Sequence, residues 1–279
     1  MKAGTKILNE PRLLHFALTQ YHAVAVTQHG FNLALHVQDN AADVHTRRQS
    51  LKSTLDLAHP IQWVHQVHGI KVHAVDDTNA AISNVADKVQ ADVIEADALT
   101  ADDKTARQFA LGILTADCLP IVIVSKDGKF AANIHAGWRG LQAGVIANTL
   151  QHTAKSSNAK LHAQDLVAWL GPCIGVATFE VGEEVLDAFL SSAENTNEAK
   201  LIRDAFTEKS SAQGETKYLC DLEGLARIAL KQVGIVDIRG GGWCTYSDVR
   251  FESYRRDYNK PHNKKGYTGR FATIVYPTN

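Results

Sequence analysis

Three short apolar runs, at 109–114, 121–124 and 130–134, follow one another with little between them. Lys126-Asp127-Gly128 separates the last two, so this stretch predicts a strand, a tight turn and a strand, with a third strand just before. Cys118 sits where the first run gives way to the second, between Asp117 and Pro120. His135 sits where the third run ends, ahead of Ala136-Gly137-Trp138-Arg139-Gly140. A thiol and an imidazole are thereby delivered to the ends of neighbouring strands, and rigid strand ends are a common place to build a site.

The rest of the chain favours short strands interleaved with helices, which predicts a mixed α/β (α+β) fold of layered sheets flanked by helices. No composition break divides it, so residues 1–279 read as one domain. The net charge of −1 provides no global field for nucleic acid or an anionic membrane, and neither is an expected partner. No apolar run reaches the ~18 residues of a spanning helix. The N-terminal residues lack the long apolar region of a secretory signal. The four cysteines, Cys118, Cys173, Cys220 and Cys244, are widely spaced and form no Cys-x-x-Cys pair. They read as reduced thiols in a cytoplasmic protein.

Taken in order, residues 22–27 predict a strand and 28–38 a loop. Residues 41–57 predict a helix capped by Asp39 or Asn40, with Arg47-Arg48 on its wet side. Residues 61–75 predict a hairpin turning near His68-Gly69, and 76–90 an irregular surface segment. The acidic stretch that follows, 90–108, reads as a loop and a short solvated helix. Helices are expected at 137–150, 180–191 and 221–233, the last capped by Asp221. Strands are expected at 166–170, 235–238 and 271–276, and residues 192–216 read as a mobile surface excursion.

Two imidazoles and a thiolate, from His68, Cys118 and His135, suit a catalytic zinc that keeps its fourth position for water or substrate. Cys118 and His135 alone would suit a Cys-His nucleophilic pair, and all three residues have a plain reading as buried structural side chains. Pattern does not separate His65 from His68; a strand-end position opens more easily toward a pocket and favours His68. Arg139, Arg255, Arg256 and Arg270 lie near glycines, a combination that suits a bidentate phosphate contact as well as an ordinary solvated surface. Gly240-Gly241-Gly242 matches neither a P-loop nor a dinucleotide fingerprint.

The stretches HQVHG at 65–69, TADCLP at 115–120, HAGWRG at 135–140, GPCIG at 171–175, SYRRD at 253–257 and TGR at 268–270 together resemble the YfiH family. These are purine nucleoside phosphorylases, formerly known as the multicopper polyphenol oxidoreductase or laccase-domain family. The resemblance spans nearly the whole chain. It implies one catalytic zinc held by His68, Cys118 and His135, and it settles the choice against His65. It also implies phosphorolysis of adenosine, inosine, guanosine and 5′-methylthioadenosine, and deamination of adenosine. Purine nucleosides and inorganic phosphate are then the partners, with a monomer favoured over a homodimer. Under that reading Arg47, Arg139 and Arg255 are the phosphate candidates. A copper-dependent polyphenol oxidase and a Cys-His hydrolase are the alternatives, and copper can occupy such ligands in vitro. The chain departs from the family near its N-terminus, where the segment 27–34 is shortened and Gln28 stands where an arginine is usual.

Overall fold

The computed structural model describes residues 11–76, 94–156, 161–210, 216–258 and 267–278. Two larger sheets stack face to face. One has five strands in the order β1 (Leu13–Leu18), β2 (Tyr21–Val26), β14 (Phe271–Pro277), β6 (Ala110–Thr115) and β3 (Ile61–Gln62). The other has six, in the order β13 (Asp237–Gly240), β9 (Leu166–Leu170), β7 (Leu119–Ser125), β8 (Ala131–Ala136), β5 (Ala98–Ala101) and β4 (Val72–Ala74). A three-stranded sheet of β10 (Glu180–Gly182), β12 (Thr216–Cys220) and β11 (Phe206–Ser210) flanks them.

Strand alternation sorts the side chains into three cores. Along β7, Val122 and Val124 point into the space between the two large sheets, where they meet Leu111, Ile113, Ala23 and Ala25. Ile121 and Ile123 point the other way, into a core closed by helices. Those helices are α2 (Trp138–Gln142), α3 (Val145–Ser156), α4 (Glu183–Ser191), α5 (Thr196–Asp204) and α6 (Leu222–Gln232), which contribute Leu141, Ile146, Phe189, Ile202 and Leu225 among others. The outer face of the five-stranded sheet is covered by α1 (Ala41–Thr54), with Leu51 against Val24, Val26 and Ile274. The last helix, α7 (Tyr254–Tyr258), is short. The central strands are apolar at nearly every position because both of their faces are buried.

The turn after β7 forms as its sequence predicts. Gly128 takes φ +75°, and the Ser125 hydroxyl accepts from Lys129 and Phe130 nitrogens at 3.0 and 2.9 Å. Asn40 is the cap of α1, accepting from Ala42 and Asp43 nitrogens, and Asp221 caps α6 through Gly224.

Several expectations are corrected. The stretch 61–75 is not a hairpin. β3 pairs in parallel with β6 of one sheet, and β4 pairs in parallel with β5 of the other, so the chain between them crosses from sheet to sheet. The acidic stretch holds β5, whose four residues are all buried. Arg47 and Arg48 are not on a wet face: they are 6% and 7% exposed, and their Nε atoms donate to the carbonyls of Asn32 and Leu33. The helix expected over 137–150 breaks at Gly144, whose φ is +87°. The stretch expected as a mobile excursion holds α5 and β11 in its described part, because Ile202 and Phe206 are buried in the helix-side core. The helix expected from residue 180 begins three residues later, after β10. Most of the surface segment expected at 76–90 lies outside the described residues.

Candidate metal centre

Two of the crossings between the large sheets pass the same end of the sandwich. One is Ala116-Asp117-Cys118, between β6 and β7; the other, between β3 and β4, carries His68. The strand β8 ends beside them with His135. Its side chain is on the inter-sheet side, because Ile134 and Ala136 face the helices. The nitrogen and sulfur ligand atoms of His68, Cys118 and His135 all lie within 4.8 Å of one another. The two imidazoles are nearly perpendicular, with centroids 4.7 Å apart. His135 is buried, Cys118 partly exposed and His68 exposed, so the cluster opens outward on the His68 side. His65 is not part of it; its ring lies edge-on to His36 at 6.0 Å.

Each ligand is set by a local device. Pairing of β5 with β8 places Ala98 opposite Ile134, and one step further along the ladder Asp97 lies opposite His135. The Asp97 carboxylate is fully buried. Its Oδ1 lies 2.9 Å from His135 Nδ1 and accepts from the backbone nitrogens of Val67 and His68 at 3.2 and 2.8 Å. Its Oδ2 accepts from Gly69 N at 2.7 Å. His68 itself is in the left-handed region, φ +63°. On the other side of this loop the Gln66 amide both donates to and accepts from the Leu114 backbone, tying the crossing to β6.

Cys118 follows Asp117, another non-glycine residue with positive φ, +87°. Three segments hold that turn. Thr245 Oγ1 donates to Asp117 Oδ1 at 2.6 Å, Arg255 N donates to Oδ2 at 2.7 Å, and Ile174 N donates to the Asp117 carbonyl at 2.9 Å. The GPCIG and SYRRD stretches thus meet at the residue before the thiol.

The donor set fits a zinc ion. Gly137 adds an independent sign of fit: a Cβ there would stand 3.0 Å from His68 Cδ2 and 3.1 Å from Cys118 Sγ, so any larger residue would intrude on the ligands. In the metal-free protein the cluster is strongly polarised. Burial pushes the Cys118 thiol up, but His135 and then His68 outweigh it and bring the thiol down to about 6. Burial disfavours charge on His135, yet the Cys118 thiolate and Asp97 raise it to about 9. Burial likewise raises Asp97, and His135 with the Gly69 and His68 amides holds it below the ordinary carboxylate range. A thiolate–imidazolium pair backed by a carboxylate is ready to exchange a proton for a metal ion.

Of the arginines, Arg139 is the second residue of α2, is exposed, and stacks on Trp138 at 4.3 Å. Arg255 has its backbone on Asp117, and its side chain donates to the Glu180 carbonyl at 3.0 Å. Arg270 donates to the carbonyls of Thr268 and Gly269, and burial lowers its pKa against the pull of Cys118 and Asp117 nearby. Arg47 is held within the framework by the Asn32 carbonyl and the Asp39 carboxylate.

Residues 15–278 match the family model described as multi-copper polyphenol oxidoreductase laccase. The chain is 35% identical over 246 residues to a purine nucleoside phosphorylase of Pseudomonas aeruginosa, covering 88% of this chain and 85% of that one. It is 34% identical over 253 residues to the purine nucleoside phosphorylase YfiH of Escherichia coli, with the same shares. The chain belongs to the YfiH family. A crystal structure of the Neisseria meningitidis protein NMB0706 superposes with a TM-score of 0.75 at 31% identity, covering 96% of this chain and 99% of that one. Bacillus licheniformis YfiH, at 24% identity, shares the fold with a TM-score of 0.78 over 98% of each chain. The mixed α/β architecture of sheets flanked by helices is the YfiH fold.

Sequence reasoning passed over Asp97, Gln66 and Thr245. Nothing local sets Asp97 apart from the other acidic residues of 90–108; the β5–β8 register places it opposite His135.

Proposed function

We propose that this protein is a zinc-dependent purine nucleoside phosphorylase. It would split adenosine, inosine, guanosine and 5′-methylthioadenosine with inorganic phosphate, giving free base and ribose 1-phosphate or methylthioribose 1-phosphate. It would also deaminate adenosine to inosine. The observation that carries this reading is the convergence of His68, Cys118 and His135, with ligand atoms within 4.8 Å, in a chain whose relatives are purine nucleoside phosphorylases.

His68, Cys118 and His135 would hold the ion, which when bound supplies a Lewis acid. In phosphorolysis a phosphate oxygen forms a bond to C1′ while the glycosidic bond breaks, and its electron pair leaves with the purine, which takes up a proton. Arg139 and Arg255 are the side chains assigned to phosphate, because guanidinium forks suit its oxygens. Arg47 would serve indirectly, by holding the loop 31–39 against α1.

Turnover of adenosine and inosine by metal-quantified protein, with and without phosphate, tests this directly. Phosphate-dependent release of adenine and hypoxanthine with about one zinc per chain is the expected result. Full zinc occupancy with no base release would sink it. Losing one charge-assisted contact through Arg139→Gln should raise the phosphate KM about tenfold and leave zinc content unchanged.

A second reading draws on the same geometry. Cys118, His135 and Asp97 have the order nucleophile, base and orienting carboxylate of a thiol hydrolase. Turnover that persists after complete metal removal, with an acyl adduct on Cys118, would favour it. For a laccase, a coupled copper cluster needs further ligands, and among the described residues this is one cluster of three.

A further inference from the structure

We infer that Asp97 is the positioning residue of the metal centre, fixing both histidine ligands through one carboxylate. The inference rests on His68, Cys118 and His135 being metal ligands, and it does not depend on which nucleoside is the substrate.

An ionised carboxylate only accepts hydrogen bonds, at about four lone-pair positions. Asp97 has four donors around it: the Val67, His68 and Gly69 amides and His135 Nδ1. These contacts have two consequences. His135 must keep a proton on Nδ1, so Nε2 is the nitrogen that exchanges its proton for a metal. Nε2 is also the ring nitrogen closest to the Gly137 position beside Cys118 and His68. The loop 67–69 is meanwhile drawn round one buried anion by three successive amides, a nest that otherwise takes a bound anion. That nest holds His68 at φ +63°, a conformation unfavourable for a histidine without support. One ligand thus has its ligating nitrogen chosen and the other its backbone position set before any metal arrives.

Asparagine at 97 has the same shape and the wrong chemistry. With its NH2 toward Gly69, two donors face each other and the loop loses that one anchor, while the remaining oxygen still accepts from Val67, His68 and His135. With its NH2 toward His135, the imidazole must accept at Nδ1 and carry its proton on Nε2, where it blocks ligation. Either orientation breaks part of the set of contacts that holds the two histidines.

The test compares wild-type protein with Asp97→Asn. Zinc affinity is read by chelator competition, and the His135 tautomer by long-range proton–nitrogen NMR of 15N-histidine protein. We expect an Nδ1–H signal for His135 in the zinc-loaded wild type, and a 10–100-fold loss of zinc affinity in the variant. In cobalt-substituted samples the thiolate charge-transfer band should persist while the ligand-field bands change. An unchanged zinc affinity together with an unchanged cobalt spectrum in Asp97→Asn would overturn the inference. If the variant fails to fold, the tautomer in zinc-loaded wild type decides: an Nε2–H form of His135 overturns the inference and an Nδ1–H form supports it. Wild-type protein that binds zinc in this way but turns over no nucleoside would refute the proposed function and leave the role of Asp97 standing.

Discussion

Cys118 differs from the buried Cys173 and Cys220 by its neighbours, while at the partly exposed Cys244 burial is outweighed by hydrogen bonds from Thr178 and Ser247, which lower its pKa. Burial raises Cys173 well above the usual thiol range and Cys220 to about 12, whereas His135 and His68 bring Cys118 down to about 6 despite burial. In metal-free protein near neutral pH, iodoacetamide should therefore label Cys118 fastest. Cys173 and Cys220 should stay unlabelled, and zinc should protect Cys118. Peptide mass spectrometry reads this, and equal labelling with and without zinc would argue against Cys118 as a ligand. Cys118→Ala should lose zinc and turnover together. His68, Cys118 and His135 were legible in the sequence as residue types at promising places. The carboxylates that organise them were not. Asp97 acts through a cross-strand register, and Asp117 through contacts with Thr245 and Arg255 more than a hundred residues away.

The crossings between sheets are what turn strand ends into a site. A run such as 61–75 alternates well enough to suggest a hairpin, but alternation does not identify a strand's partner. Here the partners of β3 and β4 lie in different sheets, and His68 is carried on the passage between them. The acidic stretch misled for a related reason: β5 is only four residues long, and the run around it is polar. Gly137 joins β8 to α2 at the narrowest point. Its φ of −67° suits any residue, so Gly137→Ala adds only a methyl group against His68 and Cys118. Zinc affinity should fall about tenfold or more. The thermal midpoint of the metal-free protein should change little. A variant with wild-type affinity would show that the ligands have room the structure does not suggest.

At the scale of the whole molecule, the two large sheets are joined by more than apolar contact. Asn133 on β8, fully buried, donates from its amide to the carbonyls of Leu111 on β6 and Thr273 on β14, at 2.9 and 2.8 Å. Asn133→Ala leaves two buried acceptors without that donor and should cost about 2 kcal/mol or more in urea unfolding. A loss below about 0.5 kcal/mol would mean that the sheets do not depend on it. A second tie joins the chain ends: His29 meets the buried Glu252 at 3.0 Å, and Gly30 N donates to the same carboxylate. The hydrogen bond to Glu252 raises the folded-state pKa of His29 above 6.5. The contribution is therefore fully present below about pH 6.5 and lost as pH rises through the folded value. The stability difference between wild type and His29→Gln should be largest in mild acid and shrink toward alkaline pH; because His29 is half-exposed, the effect should be small. A difference that grows with pH would contradict the assignment. By itself the sequence determined the central strands and their turn, the cap of α6, the cap of α1 to within two residues, and three candidate metal ligands, because local pattern and turn chemistry act over a few residues. Only the tertiary structure decided which strands pair, which aspartate backs His135, and why GPCIG and SYRRD lie beside the thiol. Those outcomes depend on contacts between segments far apart in the chain, where packing rather than local preference makes the choice.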